Sequence, residues 1–287
     1  MEIREILISD PEYPESLRNI AQPPKQIFIR GEILSQDKNA IGIVGTRKCT
    51  PYGKKAAYDL AYKLAKLGVT IVSGLAFGVD AEAHKGALDA GGRTIAVLGT
   101  GVDDKSIYPH THKSLAESVM KAGAVISEFE PGTVGYPSNF PQRNRIISAL
   151  SLGVIVIEAA EKSGSLITAN YALEQGKEVF AVPGPIYSQV SAGANKLIQQ
   201  GAKLITKAED VLEEFGWQIE AVPVSEASAD TLEEQMIISN IAEGISTPDK
   251  IIQNTKLPSA SVLTLLTMLE LKNKIKNIGN NIYVIEK

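Results

Sequence analysis

Cysteine is almost missing from these 287 residues: Cys49 is the single one, so no internal disulfide can form, and no histidine stands near it to complete a zinc spacing. A reducing compartment suits that usage. Long apolar runs are missing as well. The opening MEIREILISD is charged and has no apolar signal core, and nothing approaches the length of a membrane span, so a cytoplasmic chain without a membrane segment is expected. The familiar nucleotide loops are absent too. The first βα turn, Gly42-Ile43-Val44-Gly45-Thr46-Arg47, lacks G-x-G-x-x-G, and Gly53-Lys54 is followed by Lys55 with no glycine five residues upstream, so there is no GxxxxGK[ST] loop. Neither NAD nor ATP turnover is expected, and no cofactor or metal. Nor is positive charge in excess, the net charge being −4. That deficit is local: residues 208–230 hold seven acids and no base, 231–287 hold six of each sign, and 23 bases face 20 acids over residues 1–207. A polyanion would have to be met by local basic patches.

What is present suits one large and one small domain, with 44% hydrophobic residues for their cores. Residues 41–80 set the plan. Ile41, Ile43 and Val44 form a short apolar run ending at Gly45, as a central parallel strand should when helices cover both of its faces. Thr50 and Pro51 suit the N-cap and first turn of a helix. Gly45, Thr46 and Arg47 therefore sit between a strand end and a helix start, where free N–H groups and the dipole favour an anion and the guanidinium fork suits phosphate. The second turn, Ser73-Gly74-Leu75-Ala76-Phe77-Gly78, offers a similar cradle holding an aromatic ring.

From 41 to about 217 this βα rhythm repeats, with helix ends expected at Gly68, Gly92, Gly123, Gly153, Gly176 and Gly201. The fold expected is α/β: an extended Rossmann-like, doubly wound, mostly parallel sheet over 41–217, with a small C-terminal winged-helix domain. Ligands of such sheets lie beyond the strands' carboxyl ends. Glycine-, serine- and arginine-rich segments converge there, including Gly99-Thr100-Gly101, Phe140-Pro141-Gln142-Arg143-Asn144-Arg145, Ser163-Gly164-Ser165-Leu166-Ile167-Thr168 and Pro183-Gly184-Pro185. Residues 1–40 read as a proline-broken lead-in with one strand at Ile27-Phe28-Ile29, and 218–230 as an acidic linker. In 231–287, three helical segments and a hairpin around Gly279-Asn280-Asn281 make the winged helix-turn-helix. Its presumed recognition helix, SASVLTLLTMLEL, has no Lys or Arg, which argues against duplex readout. Asp80 and His84 share a helix face and could pass for an acid–base pair, but a structural role in packing the loop is the reading preferred.

Taken together, Gly45-Thr46-Arg47, Ser73 through Asp80 followed by Ala83-His84, Gly99-Thr100-Gly101, Phe140-Pro141-x-Arg143-Asn144-Arg145-Ile146-Ile147, Ser163 through Ala169, and Val182-Pro183-Gly184 resemble the DNA-processing protein family DprA (Smf) over almost the whole chain. The resemblance implies a single-stranded DNA-binding, dimeric protein that helps load the RecA recombinase during natural transformation, with no catalysis. It implies that Arg47 and the amides of Gly45 and Thr46 hold a phosphate. Arg143, Asn144 and Arg145 would line the same groove. Ser73, Gly74, Gly78, Ser163, Gly164, Ser165 and Thr168 would surround phosphates, with Phe77 against sugar or base. The stretch from Asn195 to Phe215, with Leu197, Ile198 and Glu213, would supply homodimer and recombinase contacts. Many relatives begin with a helical SAM-like domain, which is not expected ahead of the lead-in here.

Two other readings compete. A nucleoside-monophosphate phosphoribohydrolase would need the glutamate of a GGxGTxxE loop, and Tyr171 stands in its place, with Glu158 and Glu174 as nearby substitutes. A winged-helix regulator would need a basic recognition helix.

Overall fold

The computed structural model describes residues 1–217, 231–242, 245–272, 274–277 and 282–285. The chain divides into two compact units, Met1–Gln218 and Ile219–Lys287. In chain order the first opens with β1 (Arg4–Leu7), α1 (Glu15–Arg18), β2 (Gln26–Gly31), β3 (Ala40–Val44), α2 (Pro51–Lys66), β4 (Thr70–Ser73), α3 (Val79–Asp89) and β5 (Thr94–Val97). It continues with α4 (Lys113–Ala122), β6 (Ala124–Ser127), α5 (Asn139–Ala149), β7 (Gly153–Val156), α6 (Gly164–Glu174), β8 (Glu178–Ala181), α7 (Ala192–Gln199), β9 (Lys203–Leu204) and α8 (Ala208–Glu214).

The strands form one nine-stranded sheet in the order β1-β2-β6-β5-β4-β3-β7-β8-β9. From β6 to β9 every neighbouring pair is parallel, while β2 runs antiparallel to β6 and β1 to β2. Both faces of the central strands are covered, which is why they read as continuous apolar runs. Ile41 and Ile43 of β3 pack with α2, α3 and α8 on one face, and Val44 packs with α5, α6 and α7 on the other. Residues 1–40 are more than a lead-in: β1 and β2 form an antiparallel hairpin on the sheet edge, closed by the buried Tyr13, whose hydroxyl donates to the Pro24 carbonyl (2.8 Å). β1 escaped the sequence reading because REIL buries only Ile6.

The six glycines expected to end helices divide by role. Gly68, Gly176 and Gly201 have φ of 82°, 66° and 105°, as a left-handed helix end requires. Near Gly92 it is Gly91 that takes this geometry (φ 68°). Gly123 and Gly153 are there for closeness, since a Cβ would strike the Thr94 carbonyl at the first and lie 2.8 Å from the Phe180 ring at the second.

The second unit contains α9 (Leu232–Ala242), α10 (Pro248–Thr255), α11 (Ser259–Leu271) and the antiparallel pair β10 (Ile275–Asn277) and β11 (Tyr283–Ile285). Ile237, Ile241, Ile251, Val262, Leu266 and Leu269 form its core. Three helices and a two-stranded sheet are the arrangement expected of a winged helix. The expected linker 218–230 and the hairpin residues Gly279-Asn280-Asn281 lie outside the described residues.

Within the first unit α3 buries a histidine. His84 is fully enclosed, and its Nδ1 lies 2.7 Å from Thr94 Oγ1, which itself donates to the Ile71 carbonyl, so Nδ1 is the donor. Nε2 has no partner among the described residues. Burial, with His112 and Arg143 adding to it, pushes the ring's pKa down to about 3. The unfolded chain therefore takes up the extra proton first, so the His84 contribution is complete above about pH 6.5 and is lost as pH falls toward 3. For His84→Gln, the stability difference from wild type is expected to shift by about 2 kcal/mol between pH 7 and pH 5, against the wild type at the lower pH. Urea denaturation at the two pH values checks this, and a pH-independent difference would refute it.

Candidate functional site

The chain leaves β3 toward β4 on one side of the sheet, and β7 leads to β8 on the other. At such a parting the crossovers diverge and a crevice opens beyond the strands' carboxyl ends. An open cleft of about 830 Å³ lies there, lined by Gly45 to Lys48, Ala76, Asp80, Tyr108, Phe140, Arg143, Asn144, Ser163 to Ser165, Thr168 and Val190, among others.

Glu158, at the end of β7 and almost fully buried, organises the near wall. Its carboxylate accepts from the Thr50 amide (2.8 Å) and hydroxyl (2.6 Å), and its carbonyl accepts from the Thr46 amide (2.7 Å). Thr50 caps α2 as expected, accepting from the Gly53 amide at 3.2 Å. The start of α2 is thus answered by an internal carboxylate, and the Thr46 amide is engaged, which corrects the expectation that both face a phosphate. Arg47 and Lys48 project from this clamped turn and are exposed. Neither has a carboxylate partner among the described residues, and the Arg47 guanidinium lies 5.1 Å from the centre of the Phe140 ring.

The helix start open to the cleft belongs to α6. Ser163 caps it, its hydroxyl 2.8 Å from that of Ser165, and Gly164 has open space where a side chain would stand. Ser163 answers two of the helix-start amides, its hydroxyl accepting from Ser165 N (3.4 Å) and its carbonyl from Leu166 N (3.1 Å), which leaves the Gly164 amide and the positive end of the helix dipole toward the cleft. Asn144 ties α5 to it, donating to the Gly164 carbonyl (3.2 Å) and accepting from Arg143 Nε (3.2 Å).

Arg143 is nearly buried beneath the cleft. Its Nη1 donates to the carbonyls of Gly74 (2.8 Å) and Val97. Asp80 lies opposite and accepts from the amides of Gly74 (3.2 Å) and Ala76 (3.3 Å). A Cβ on Gly74 would come within 2.6 Å of both the guanidinium and the carboxylate, so only glycine admits the pair. Burial holds both groups back from their charged forms, raising the Asp80 pKa and lowering that of Arg143 to about 10, against their mutual attraction. Asp80 is a loop anchor with no acid–base partner in His84, whose ring points into the core.

Nine of the expected residues line the cleft: Gly45, Thr46, Arg47, Arg143, Asn144, Ser163, Gly164, Ser165 and Thr168. The others stand elsewhere. Ser73 is buried and donates to the Ile43 carbonyl (2.6 Å), and the Gly74 amide serves Asp80. Gly78, with φ +78°, brings the start of α3 beneath the Thr46 and Arg47 backbone, 2.5 Å from the Thr46 carbonyl at the Cβ position. Phe77 packs edge-on against His112 (4.9 Å) in a notch beside the cleft. Arg145 turns away altogether, pairing bidentately with Glu128 (2.6 Å to each oxygen) and donating to the Gln22 carbonyl. The partner stretch also changes. Asn195 exchanges hydrogen bonds with the Gly184 amide and carbonyl (3.1 and 3.0 Å), Leu197 is in the core, and Phe215 packs on Phe180 and Trp217. Glu213 is exposed and Ile198 partly so.

Sequence reasoning missed Lys48 and Tyr108. Tyr108 lies 6.0 Å from Phe140, continuing the row begun by Arg47. Lys48 was adjacent to the motif and could have been found by asking what else leaves that turn. Among the described residues there is no cluster of His, Cys, Asp and Glu able to hold a metal, and no helix is long and apolar enough to cross a membrane.

Fold and cleft define a Rossmann-like α/β protein with an open crevice at the strand parting. The family model for DNA recombination-mediator protein A matches residues 4–216, and that for the DprA winged-helix domain matches 221–279. The chain belongs to this DprA/Smf family. It is 48% identical over 214 residues to the DNA processing protein DprA of Bacillus subtilis, covering 74% of this chain and 71% of that protein. The X-ray structure of DprA from Streptococcus pneumoniae superposes with a TM-score of 0.70 at 42% identity, covering 74% of each chain. The DprA of Helicobacter pylori, whose structure is described for its single-stranded DNA binding mode, gives 0.66 at 30% identity, covering 75% of this chain and 95% of that one.

The Arg145–Glu128 pair, each side chain 9% exposed, makes a prediction that separates structure from binding. Glu128→Ala leaves a buried guanidinium unpaired and is expected to cost about 3–5 kcal/mol in chemical denaturation. A loss under about 1 kcal/mol, the range of exposed pairs, would refute the placement.

Proposed function

We propose that the cleft binds single-stranded DNA through its phosphates, without sequence preference, and that the protein uses this grip to help load the RecA recombinase during DNA uptake and recombination. One observation carries the reading: two unpaired cations, Arg47 and Lys48, face the open start of α6 across a cleft rimmed by Phe140 and Tyr108. A phosphate meets charge-assisted donors on both walls, and the rings offer stacking worth about 1–3 kcal/mol per base whatever the base. The relative from Helicobacter pylori, whose structure is described for its single-stranded DNA binding, supports the same ligand.

No catalysis is part of the reading. Glu158 is committed to Thr50, Glu174 is exposed on α6 away from the cleft lining, and Asp80, the carboxylate in that lining, is tied to the amides of Gly74 and Ala76. The winged-helix unit is a docking or regulatory module: α11 exposes Leu263, Met268 and Leu271 and carries no Lys or Arg. The protein is taken to act in the cytoplasm as a homodimer, with Ile198 and Glu213 as the candidates left in the partner stretch.

Fluorescence anisotropy of labelled single strands and duplexes across a salt series tests this. Arg47→Ala is expected to weaken single-strand binding about tenfold or more on every sequence and to flatten the log–log salt slope by about 0.7. Unchanged affinity and slope in the variant, or binding to duplex alone, would overturn the assignment.

A further inference from the structure

A second groove of about 540 Å³ flanks α2 near the same turn, and the cleft does not use it. Its walls come from α2 between Pro51 and Lys63, Val182 after β8, and Thr206 and Lys207 ahead of α8. Three lysines line it, Lys55, Lys63 and Lys207, against one acid, Asp59. Asp59 is already paired with Lys55 at 2.8 Å. Lys63 and Lys207 have no ion-pair partner among the described residues. The nearby Asp210 accepts from the Thr206 amide (2.7 Å), the Thr206 hydroxyl (3.3 Å) and the Lys207 amide (3.1 Å), which ties its carboxylate to the backbone. Tyr52 stands at the groove's near end, 48% exposed, its hydroxyl donating to the Pro183 carbonyl at 2.8 Å.

The two sites are close along the chain. Lys48 lines the cleft and Pro51 lines the groove, so at 3.8 Å per residue their Cα atoms are no more than about 11 Å apart. Tyr52 and Lys63 stand eleven positions apart on α2, about 16 Å at 1.5 Å per residue, so one groove offers cations and a fixed, half-exposed ring spaced along it, the combination that tracks a strand, charge for the backbone and a π-face for a base.

We propose that the groove beside α2 holds the continuation of the same DNA strand, its phosphates meeting Lys63 and Lys207 and a base resting on Tyr52. This rests on the reading of the first cleft as a single-strand site and extends it to a longer footprint. An occupant of another kind, an acidic protein segment, would use the lysines but would not need the cleft to be filled as well.

The test compares labelled oligothymidylates of about 6 and about 20 nucleotides, chosen against the site sizes of about 4–16 usual for such grooves. They are titrated onto the full chain as wild type, Arg47→Ala and the double variant Lys63→Gln/Lys207→Gln. The double variant is expected to bind the short strand as wild type does, which also reports that it is folded. It should bind the long strand about tenfold more weakly, with a salt slope shallower by about 1.4 for two lost phosphate contacts. Arg47→Ala should lose both lengths. If the double variant matches wild type at both lengths, or loses both equally, the proposal is overturned while the first cleft stands. Capture of an oligoglutamate peptide that depends on Lys63 and Lys207, with long-strand binding unchanged, would assign the groove to an acidic segment and also overturn it. Wild type binding neither length would remove the reading of the first cleft itself.

Discussion

The site depends on a buried carboxylate that does not itself line the cleft. Glu158 reaches from the end of β7 across the parting of the sheet and satisfies both the amide and the hydroxyl of Thr50, while its own carbonyl takes the Thr46 amide. One residue thereby fixes the turn after β3 to the strand beside it. A buried carboxylate is tolerated only when hydrogen-bonded, and the start of α2 supplies donors and a favourable dipole together. The consequence is indirect. With the helix start neutralised internally, Arg47 and Lys48 are the groups the turn presents outward, and the start of α6 is the helix end that lines the cleft.

A second buried pair shapes the floor. Arg143 and Asp80 share the space above Gly74, each bonded to the backbone of the loop after β4. Taking two charges out of water is expensive, and the attraction between them offsets that only with further hydrogen bonds in place. Here the loop amides and carbonyls provide those bonds, so the cost holds residues 74–80 in one conformation. A rigid floor under a cleft reduces the entropy that a flexible ligand's binding must overcome.

The winged-helix unit departs from its usual chemistry. Val262, Leu266 and Leu269 bury one face of α11, and the helix is so apolar that Leu263, Met268 and Leu271 remain on the outside. A groove-reading helix needs donors matched to base edges and phosphates, and these side chains have none. The scaffold is kept while its recognition helix carries none of the Lys and Arg side chains that duplex readout uses.

Much of this was determined by the sequence alone. The βα rhythm, the Thr50-Pro51 helix start, the two-unit division of the fold and the convergence of Gly45–Arg47 with Ser163–Thr168 follow from short-range physics: apolar period, capping, and the rule that ligands lie beyond strand ends. Tertiary structure alone decided which polar groups remain available. Arg47 and Arg145 are the same residue type beside similar loops, yet one faces the cleft and the other is locked to Glu128, seventeen positions away in sequence. Ser73 and Ser163 also part company, the first buried against the Ile43 carbonyl and the second capping α6 at the edge of the cleft. Asn195 and Leu197, expected on a surface, are drawn inward by Gly184 and the core. A donor's partner is chosen by what the folded chain brings within about 3 Å of it, and that proximity is set by the packing of distant segments rather than by local sequence.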